Sequence, residues 1–432
     1  MRGALTRALL ALSLLALCVM LPGCGGAAEI EDIGFVLAMG VDRHEESGIK
    51  LWLQMALPSS GPEGQAQQES LPFITTGETL YQALMKAQAQ SSRRIMLGHV
   101  RVVVIGERLA REGIAALLDP LVRDGSFRYR SWVVVTPDPV GEVMQVSLGG
   151  QVAANYINDL MEREAPTAGV PSSRFIDLLL AVEERGMEAL LARLALAEQE
   201  DDGGGAPQAG GGPGPADTML GGSGEGVGGE AETGGEAPAP RIPVVDGAAV
   251  FKGDRMVGWI DRRLSAAVLM LKNAIQGYTF THELAGEGQN RAVFSLLSTN
   301  ARFSIPRESL TDPARIRGST VRVNVAGLVR LRELISSEQY LTLESLERLS
   351  ADLSARVERD IRDLLHTAQA EFRSDVIGLG ERFRQRMSHS KWAQVQGEWD
   401  EVFSTLNIEV TANIEIRKRG QTMRSPGQDT AI

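Results

Sequence analysis

The stretch 203–240 is dominated by glycine, proline, alanine and glutamate and offers almost no side chain that a core could bury. Ordering such a segment costs backbone entropy that burial cannot offset, so we predict that it is disordered. The chain must therefore fold on both sides of it. Independent modules joined by a linker and a surface insertion are both open, and we favour the insertion because loop-closure entropy grows slowly with length. The predicted boundaries are 24–197 and 241–423 for folded regions, 198–240 for the linker and 424–432 for a disordered tail.

Most of the net charge of −11 comes from the same part of the chain. Between Glu198 and Pro240 there are nine acidic residues and no lysine or arginine, which leaves 46 acidic and 44 basic residues elsewhere. The folded regions are therefore nearly neutral. Binding to nucleic acid would require a basic surface, and electrostatic attachment to lipid would require a polybasic patch. The sequence argues against both.

The amino terminus has the pattern of a bacterial lipoprotein signal peptide. Arg2 and Arg7 precede an apolar run at 8–20, and Leu-Pro-Gly-Cys follows, ending at Cys24. We predict cleavage after residue 23 and lipidation, including palmitate, of Cys24. An uncleaved signal anchor and an ordinary secretory signal are the alternatives, and Pro22 is unusual so close to the cleavage site. Apart from Cys18 in the signal, Cys24 is the only cysteine, so no internal disulfide is expected.

The first folded region alternates strand and helix signals. Apolar or β-branched runs at 33–41, 50–57, 100–105 and 132–135 predict strands. Helical spacing predicts a helix at 79–90, capped near Thr76 or Thr79, and further helices at 109–122, 151–161 and 175–194. This region is predicted to be a mixed α/β layer.

The second region has longer periodic segments. It opens with a hairpin whose strands, 247–251 and 255–260, flank a turn at Lys252-Gly253-Asp254. Residues 343–372 keep apolar side chains on one face and predict one long amphipathic helix. Residues 406–416 alternate with period two and predict a final strand. The overall fold class is predicted to be multi-domain α+β, with a carboxy-terminal antiparallel sheet covered by the long helix.

No motif for catalysis is present. The chain has no P-loop, no GxSxG elbow, no HExxH sequence and no paired CxxC. Its five histidines are widely spaced, so neither a metal nor a cofactor is predicted. His99, beside Arg93 and Arg94 at the head of a strand, could make a functional contact, but a strand-end position is the favoured interpretation.

Several other residues have a functional and a structural interpretation. Asp375, next to Gly378 and Gly380, could be a carboxylate in a cleft or part of a helix end. Trp392 and Trp399 are seven residues apart and could form a ligand platform or a core pair. We favour the structural interpretation in each case, and a solvated face over carboxylate binding for three arginines: Arg255, Arg262 and Arg263.

Several segments, in order along the chain, resemble the Ger(x)C lipoproteins of spore germination. The matching residues are Glu29–Gly34 with Gly40-Val41-Asp42, Ser91–Arg94 with Gly98-His99, Leu117–Asp119 with Arg123-Asp124, Ala249–Asp254 with Val257-Gly258-Trp259, and Gln369–Asp375 with Gly378–Gly380. Two features differ from the family: Gly25 follows the lipidated cysteine where a tryptophan is usual, and the acidic insertion is atypical.

The resemblance implies the C subunit of a nutrient germinant receptor. Such a subunit would be lipid-anchored on the outer face of the inner spore membrane, beside membrane-embedded A and B subunits, without enzymatic activity. We therefore predict a partner interface made of Arg93, His99, Lys252, Asp254 and Arg255. A lipid-anchored solute-binding protein is the main alternative, and an extracytoplasmic hydrolase is a weaker one.

Overall fold

The computed structural model describes residues 32–45, 48–56, 70–148, 151–163, 165–183, 186–198, 241–284, 290–335 and 343–417. Its strands are β1 Ile33–Arg43, β2 Ile49–Ala56, β3 Ser70–Gly77, β4 Arg94–Met96, β5 Val102–Gly106, β6 Trp132–Thr136, β7 Ser147–Leu148, β8 Gln151–Val152, β9 Leu190–Glu198, β10 Arg241–Lys252, β11 Arg255–Ile260, β12 Tyr278–Glu283, β13 Arg291–Ser304, β14 Thr320–Ile335 and β15 Asn407–Ile416. Its α-helices are α1 Leu80–Gln90, α2 Glu107–Glu112, α3 Ala115–Arg123, α4 Val140–Gln145, α5 Ala153–Arg163, α6 Ala165–Ala168, α7 Phe175–Glu183, α8 Arg262–Leu271, α9 Arg307–Thr311, α10 Leu343–His366, α11 Leu379–Arg384, α12 His389–Val395 and α13 Trp399–Thr405.

A nine-stranded mixed sheet organises the first half of the structure. Its strand order is β11-β10-β9-β6-β5-β1-β2-β3, with β4 also paired to β1. Strands β1, β5 and β6 run parallel to one another and are buried on both faces, as expected for strands between helical layers. Thr79 is the N-cap of helix α1, and its hydroxyl accepts a hydrogen bond from the backbone N–H of Gln82 at 3.2 Å, so the second of the two predicted caps is confirmed.

The hairpin at 241–260 belongs to this large sheet. Strand β10 pairs antiparallel with β9, and the register begins at Arg241 opposite Glu198. The hairpin that opens the second region in sequence therefore pairs with the sheet of the first region. Glu198, the first residue of the predicted linker, ends β9; residues 199–240 lie outside the described residues, but the strands on either side of them are direct neighbours. Paired strand ends of this kind favour an insertion between two strands over a joint between modules.

Strand β10 contributes to more than one hydrophobic core because successive side chains point to opposite faces of a strand. Ala249 and Phe251 pack with the helices on one face of the large sheet. Ala248 and Val250 pack in the core of the second region, together with residues of α8 and α10. The hairpin thus joins the two halves of the structure through shared apolar burial.

Two helix predictions in the first region need correction. Residues 175–194 form helix α7 up to Glu183 and then strand β9, because Leu190 to Glu198 completes the sheet between β6 and β10. The predicted helix at 109–122 is divided into α2 and α3 at Gly113, whose φ of 130° is not helical. Backbone pairing overrides local helical spacing in the first case, and a glycine break does so in the second.

A four-stranded sheet, β12-β13-β14-β15, forms the second half. The α+β class is confirmed, but the sheet is not wholly antiparallel, because β14 and β15 run parallel from Thr320 opposite Asn407. The chain between them returns through α10 to α13, and a long crossover of this kind allows parallel pairing. Helix α10 covers this sheet as predicted. Its side chains also accept hydrogen bonds from the backbone of the edge strand, Glu358 from Ala412 at 3.0 Å and Ser354 from Ile414 at 2.9 Å.

The long helix changes character near its end. It is α-helical to His366 and continues as a π-helical turn over Thr367–Phe372, before Arg373 adopts a left-handed conformation with a φ of 48°. The π turn places Phe372 against Gly258 of β11, where an added Cβ would lie 2.5 Å from the ring. Gly258 therefore permits the long helix to pack closely on the hairpin.

Candidate functional site

The structure gives no position to Cys24, which lies outside the described residues, so the prediction of lipidation stands as a prediction. Each helix in the described part of the chain is too short or too polar to cross a bilayer. The described residues also contain no group of three or more histidine, cysteine or acidic side chains arranged to hold a metal ion.

Arg93 and His99 flank the short strand β4. The backbone carbonyl of Arg93 accepts a hydrogen bond from the Gln88 amide at 3.0 Å, and its side chain is half-buried. Its Nη1 atom is buried and has no hydrogen-bond partner among the described residues. His99 is exposed, and its ring packs edge-on against Phe35 with centroids 4.6 Å apart. Of these two residues, His99 is the more accessible to a partner.

The turn at 252–254 is held by contacts within the protein. Lys252 forms an ion pair with Asp400 at 3.2 Å. The backbone carbonyl of Asp254 accepts a hydrogen bond from Ile114 at 2.9 Å, and its carboxylate accepts one from Ala115 at 3.3 Å. Lys252 and Asp254 therefore connect the hairpin to α13 and to the start of α3, whereas Arg255 is exposed.

Helix α3 connects the two predicted interface segments without bringing them into contact. Its first residue, Ala115, bonds to Asp254. Just beyond its last residue, the backbone at Ser126 approaches Gly98, where an added Cβ would lie 3.1 Å from the Ser126 carbonyl oxygen. At about 1.5 Å of rise per residue, these two ends are roughly 15 Å apart. The two segments therefore border one surface, at opposite ends of α3.

An apolar groove lies along this surface, between α1 and α3. Its volume is about 480 Å³, and it is lined by Leu84, Ile95 and Pro120 together with two exposed side chains, Tyr81 and Met85. Tyr81 is 63% exposed and Met85 is 50% exposed. The sequence interpretation missed these residues because they lie off the buried face of α1. Large apolar residues four apart on the outer face of a helix were the available signal.

Asp375 is a buried structural carboxylate, which agrees with the favoured structural interpretation. It is 0% exposed, and it accepts hydrogen bonds from the backbone of Leu379 at 2.9 Å, the backbone of Gly380 at 2.6 Å and the Trp399 indole at 2.8 Å. Burial raises its pKa above the ordinary value, and the three donors oppose that shift. Asp375 thus fixes the loop before α11 against α13.

The tryptophan and arginine candidates also have structural roles. Trp392 and Trp399 are both buried, and their rings pack 5.2 Å apart. Arg263 donates to Asp360 at 2.9 Å and to Asp363 at 2.7 Å, and these hydrogen bonds raise its pKa. Arg262 lies 3.6 Å from Asp246. Their partners are side chains of the same chain, so a carboxylate ligand is not needed to neutralise them.

Glu188 is a perturbed acid that the sequence interpretation missed. It lies in the loop before β9, where its carboxylate accepts a hydrogen bond from the backbone of Gly253 at 2.6 Å. Burial is the main cause that raises its pKa to about 7, and the nearby Asp400 and Asp375 add to the shift. Only the folded chain brings these acids together, since they are far apart in sequence.

Comparison with known proteins identifies the family. Residues 26–196 match the family described as spore germination protein N-terminal domain, and residues 246–420 match the family described as spore germination B3/GerAC like, C-terminal. The chain therefore belongs to the Ger(x)C family of spore germination proteins, which are C subunits of germinant receptors.

Individual relatives match over nearly their whole length. The chain is 26% identical to spore germination protein KC of Bacillus subtilis (strain 168), over 96% of each chain. It is 19% identical to spore germination protein GerQC of Bacillus cereus, over 94% of this chain and 98% of that one. The crystal structure of the GerBC protein aligns with a TM-score of 0.48 and 16% identity, covering 88% of this chain and 96% of that one.

Proposed function

We propose that the protein is the lipid-anchored C subunit of a spore nutrient germinant receptor, acting through contacts with the membrane-embedded A and B subunits. The match of both halves of the chain to the family, in order, carries this proposal. Cys24 would hold the protein at the extracytoplasmic face of the inner spore membrane. The relatives reported above are named as spore germination proteins and not after an enzymatic reaction. The proposed role is therefore non-catalytic.

The groove between α1 and α3 is the part of the surface best suited to a subunit contact. Exposed Tyr81 and Met85 would lose contact with water when a partner covers them. His99 and Arg255 lie towards the two ends of this surface and would supply polar contacts at its rim. We take extramembrane segments of the A or B subunit as the occupant.

Co-purification with tagged A and B subunits from detergent-solubilised membranes tests the proposal. Met85→Glu and Arg255→Glu should reduce recovery of the partners, because the first places a charge in an apolar contact and the second reverses a rim charge. Both side chains are exposed, so stability should change by no more than about 0.5 kcal/mol. Arg302→Glu, an exposed change on β13 of the other sheet, is the matched control.

The control variant should recover the partners as well as the unmodified chain does. Normal recovery with both Met85→Glu and Arg255→Glu would remove this surface from the proposal. A chain that never co-purifies with A or B subunits, even before substitution, would contradict the receptor role itself.

A further inference from the structure

A second concavity lies where the first region meets the end of helix α8. Its volume is about 320 Å³, and it is enclosed by residues 171–173, by α7, by the loop leading into β9 and by Lys272. Leu178, Ala181, Leu191 and Leu269 give it apolar walls. Side chains from both halves of the structure thus enclose one space.

Lys272 places a positive charge at this cavity. It follows the last residue of α8 and is half-buried, and burial lowers the pKa of its ammonium group. Among the described residues, its side chain has neither a hydrogen-bond partner nor an ion-pair partner. An ammonium group that is partly removed from water without a partner costs free energy. Stabilisation of the fold therefore does not explain why a lysine occupies position 272.

The end of α8 does not need the ammonium group. The carbonyl of Val268 accepts a hydrogen bond from the backbone of Lys272, Leu269 accepts one from Ala274, and Met270 accepts one from Asn273. The carbonyl of Leu271 accepts one from the Arg382 guanidinium at 3.2 Å. Since the last four carbonyls of the helix already have donors, Lys272 is available to a group inside the cavity.

Two acids limit what that group can be. Asp177 and Glu188 also line the cavity, and neither forms an ion pair with Lys272 among the described residues. Glu188 is instead bonded to the backbone of Gly253. Lys272 can pair with one carboxylate of a ligand, whereas a second carboxylate would have no cation to pair with and would face Asp177 and Glu188.

We propose that this cavity binds a small molecule with an apolar body and a single carboxylate, and that Lys272 pairs with that carboxylate. The volume is at the lower end of the range of about 300–1,000 Å³ found for small-molecule sites, which suits a compact ligand. The apolar walls would bury the hydrocarbon part, and the cation would fix its orientation. This binding is separate from the assembly role and would hold whether or not the groove contacts another subunit.

Calorimetric titration of the purified full chain tests the proposal. The probes are 4-methylpentanoate and phenylacetate, with 4-methylpentanamide as the uncharged analogue and hexanedioate as the dicarboxylate. The two monocarboxylates should bind. The amide should bind about tenfold to a hundredfold more weakly, because it forms no charge-assisted bond with Lys272. Hexanedioate should also bind more weakly than the monocarboxylates.

Three variants locate the binding. Lys272→Met should weaken monocarboxylate binding about tenfold or more while the melting temperature stays equal or rises, since a partly buried unpaired charge is removed. Ala181→Leu, on the cavity wall, should block binding by filling the space. Lys86→Met, an exposed lysine on α1, is the matched control and should bind normally. A lack of carboxylate binding up to about 10 mM, or equal binding by Lys272→Met, would overturn the proposal.

Discussion

Replacing Asp375 by asparagine tests how strongly one buried carboxylate supports the carboxy-terminal half. The carboxylate accepts three hydrogen bonds, one on Oδ1 from Leu379 and two on Oδ2 from Gly380 and Trp399. Asparagine has a similar shape but only one acceptor oxygen. If that oxygen takes the place of Oδ2, its NH₂ group faces the Leu379 N–H and leaves a buried donor without a partner.

The size of the stability loss in Asp375→Asn follows from those three hydrogen bonds. A buried donor left unpaired costs about 1–3 kcal/mol, and each remaining bond weakens when its acceptor loses charge, by about 0.5–1 kcal/mol. Relief of the carboxylate's desolvation, which raises its pKa in the folded state, offsets part of this loss. The expected net destabilisation of Asp375→Asn is about 2–4 kcal/mol.

Urea unfolding of the full chain, followed by tryptophan fluorescence, measures the effect. Trp399→Phe removes one of the three donors and should couple to Asp375→Asn, so the double variant should lose about 1 kcal/mol less than the sum of the single losses. Asp119→Asn, at an exposed ion pair with Arg123, is the control and should change stability by less than about 1 kcal/mol. Additive losses for the pair, or a loss for Asp375→Asn no larger than the control's, would refute the assigned role of Asp375.

Three further predictions concern acidity, the insertion and the anchor. Glu188 has a pKa of about 7 in the folded state against an ordinary 4.5, so the folded chain binds more protons between these values and stability should fall as pH rises through that window. In Glu188→Gln the dependence of stability on pH should be weaker, whereas the exposed control Glu415→Gln should keep the dependence of the unmodified chain. Urea unfolding at several pH values measures it, and an equal pH dependence in both variants would contradict the raised pKa of Glu188. Deleting 203–238 leaves six residues between β9 and β10, which is enough for a hairpin loop. The shorter loop should raise the free energy of unfolding by about 1–2 kcal/mol. A decrease of that size in urea unfolding would show that the segment contributes to packing. In Cys24→Ala the protein should leave the membrane fraction or remain an unprocessed precursor without incorporated fatty acid, and fatty-acid label retained in this variant would exclude Cys24 as the acylation site.

The local sequence pattern was sufficient to predict elements whose partners are near in sequence or whose periodic pattern extends over many residues. The amphipathic spacing in 343–372 predicted a single helix over the residues that form α10 and the π-helical turn after it. Thr76 and Thr79 were the predicted caps of α1, and Thr79 is the cap in the structure. The alternation in 406–416 predicted β15, and the apolar runs at 33–41 and 132–135 predicted β1 and β6. In each case the residues carry their own helical or extended signal, and tertiary packing agrees with it.

Tertiary structure alone decided which segments pair and which polar groups meet. Residues 190–194 fell within the helix predicted at 175–194, but residues 190–198 form β9 because β6 and β10 offer backbone partners on both sides. The hairpin at 241–260 joined the first sheet across the insertion, and β15 ran parallel to β14 because a helical crossover returns the chain to the same end. Lys272 and Glu188 became candidates for function only when folding placed them on one cavity. Hydrogen bonding between distant strands and desolvation of distant charges depend on three-dimensional proximity, which the local periodicity of a sequence does not encode.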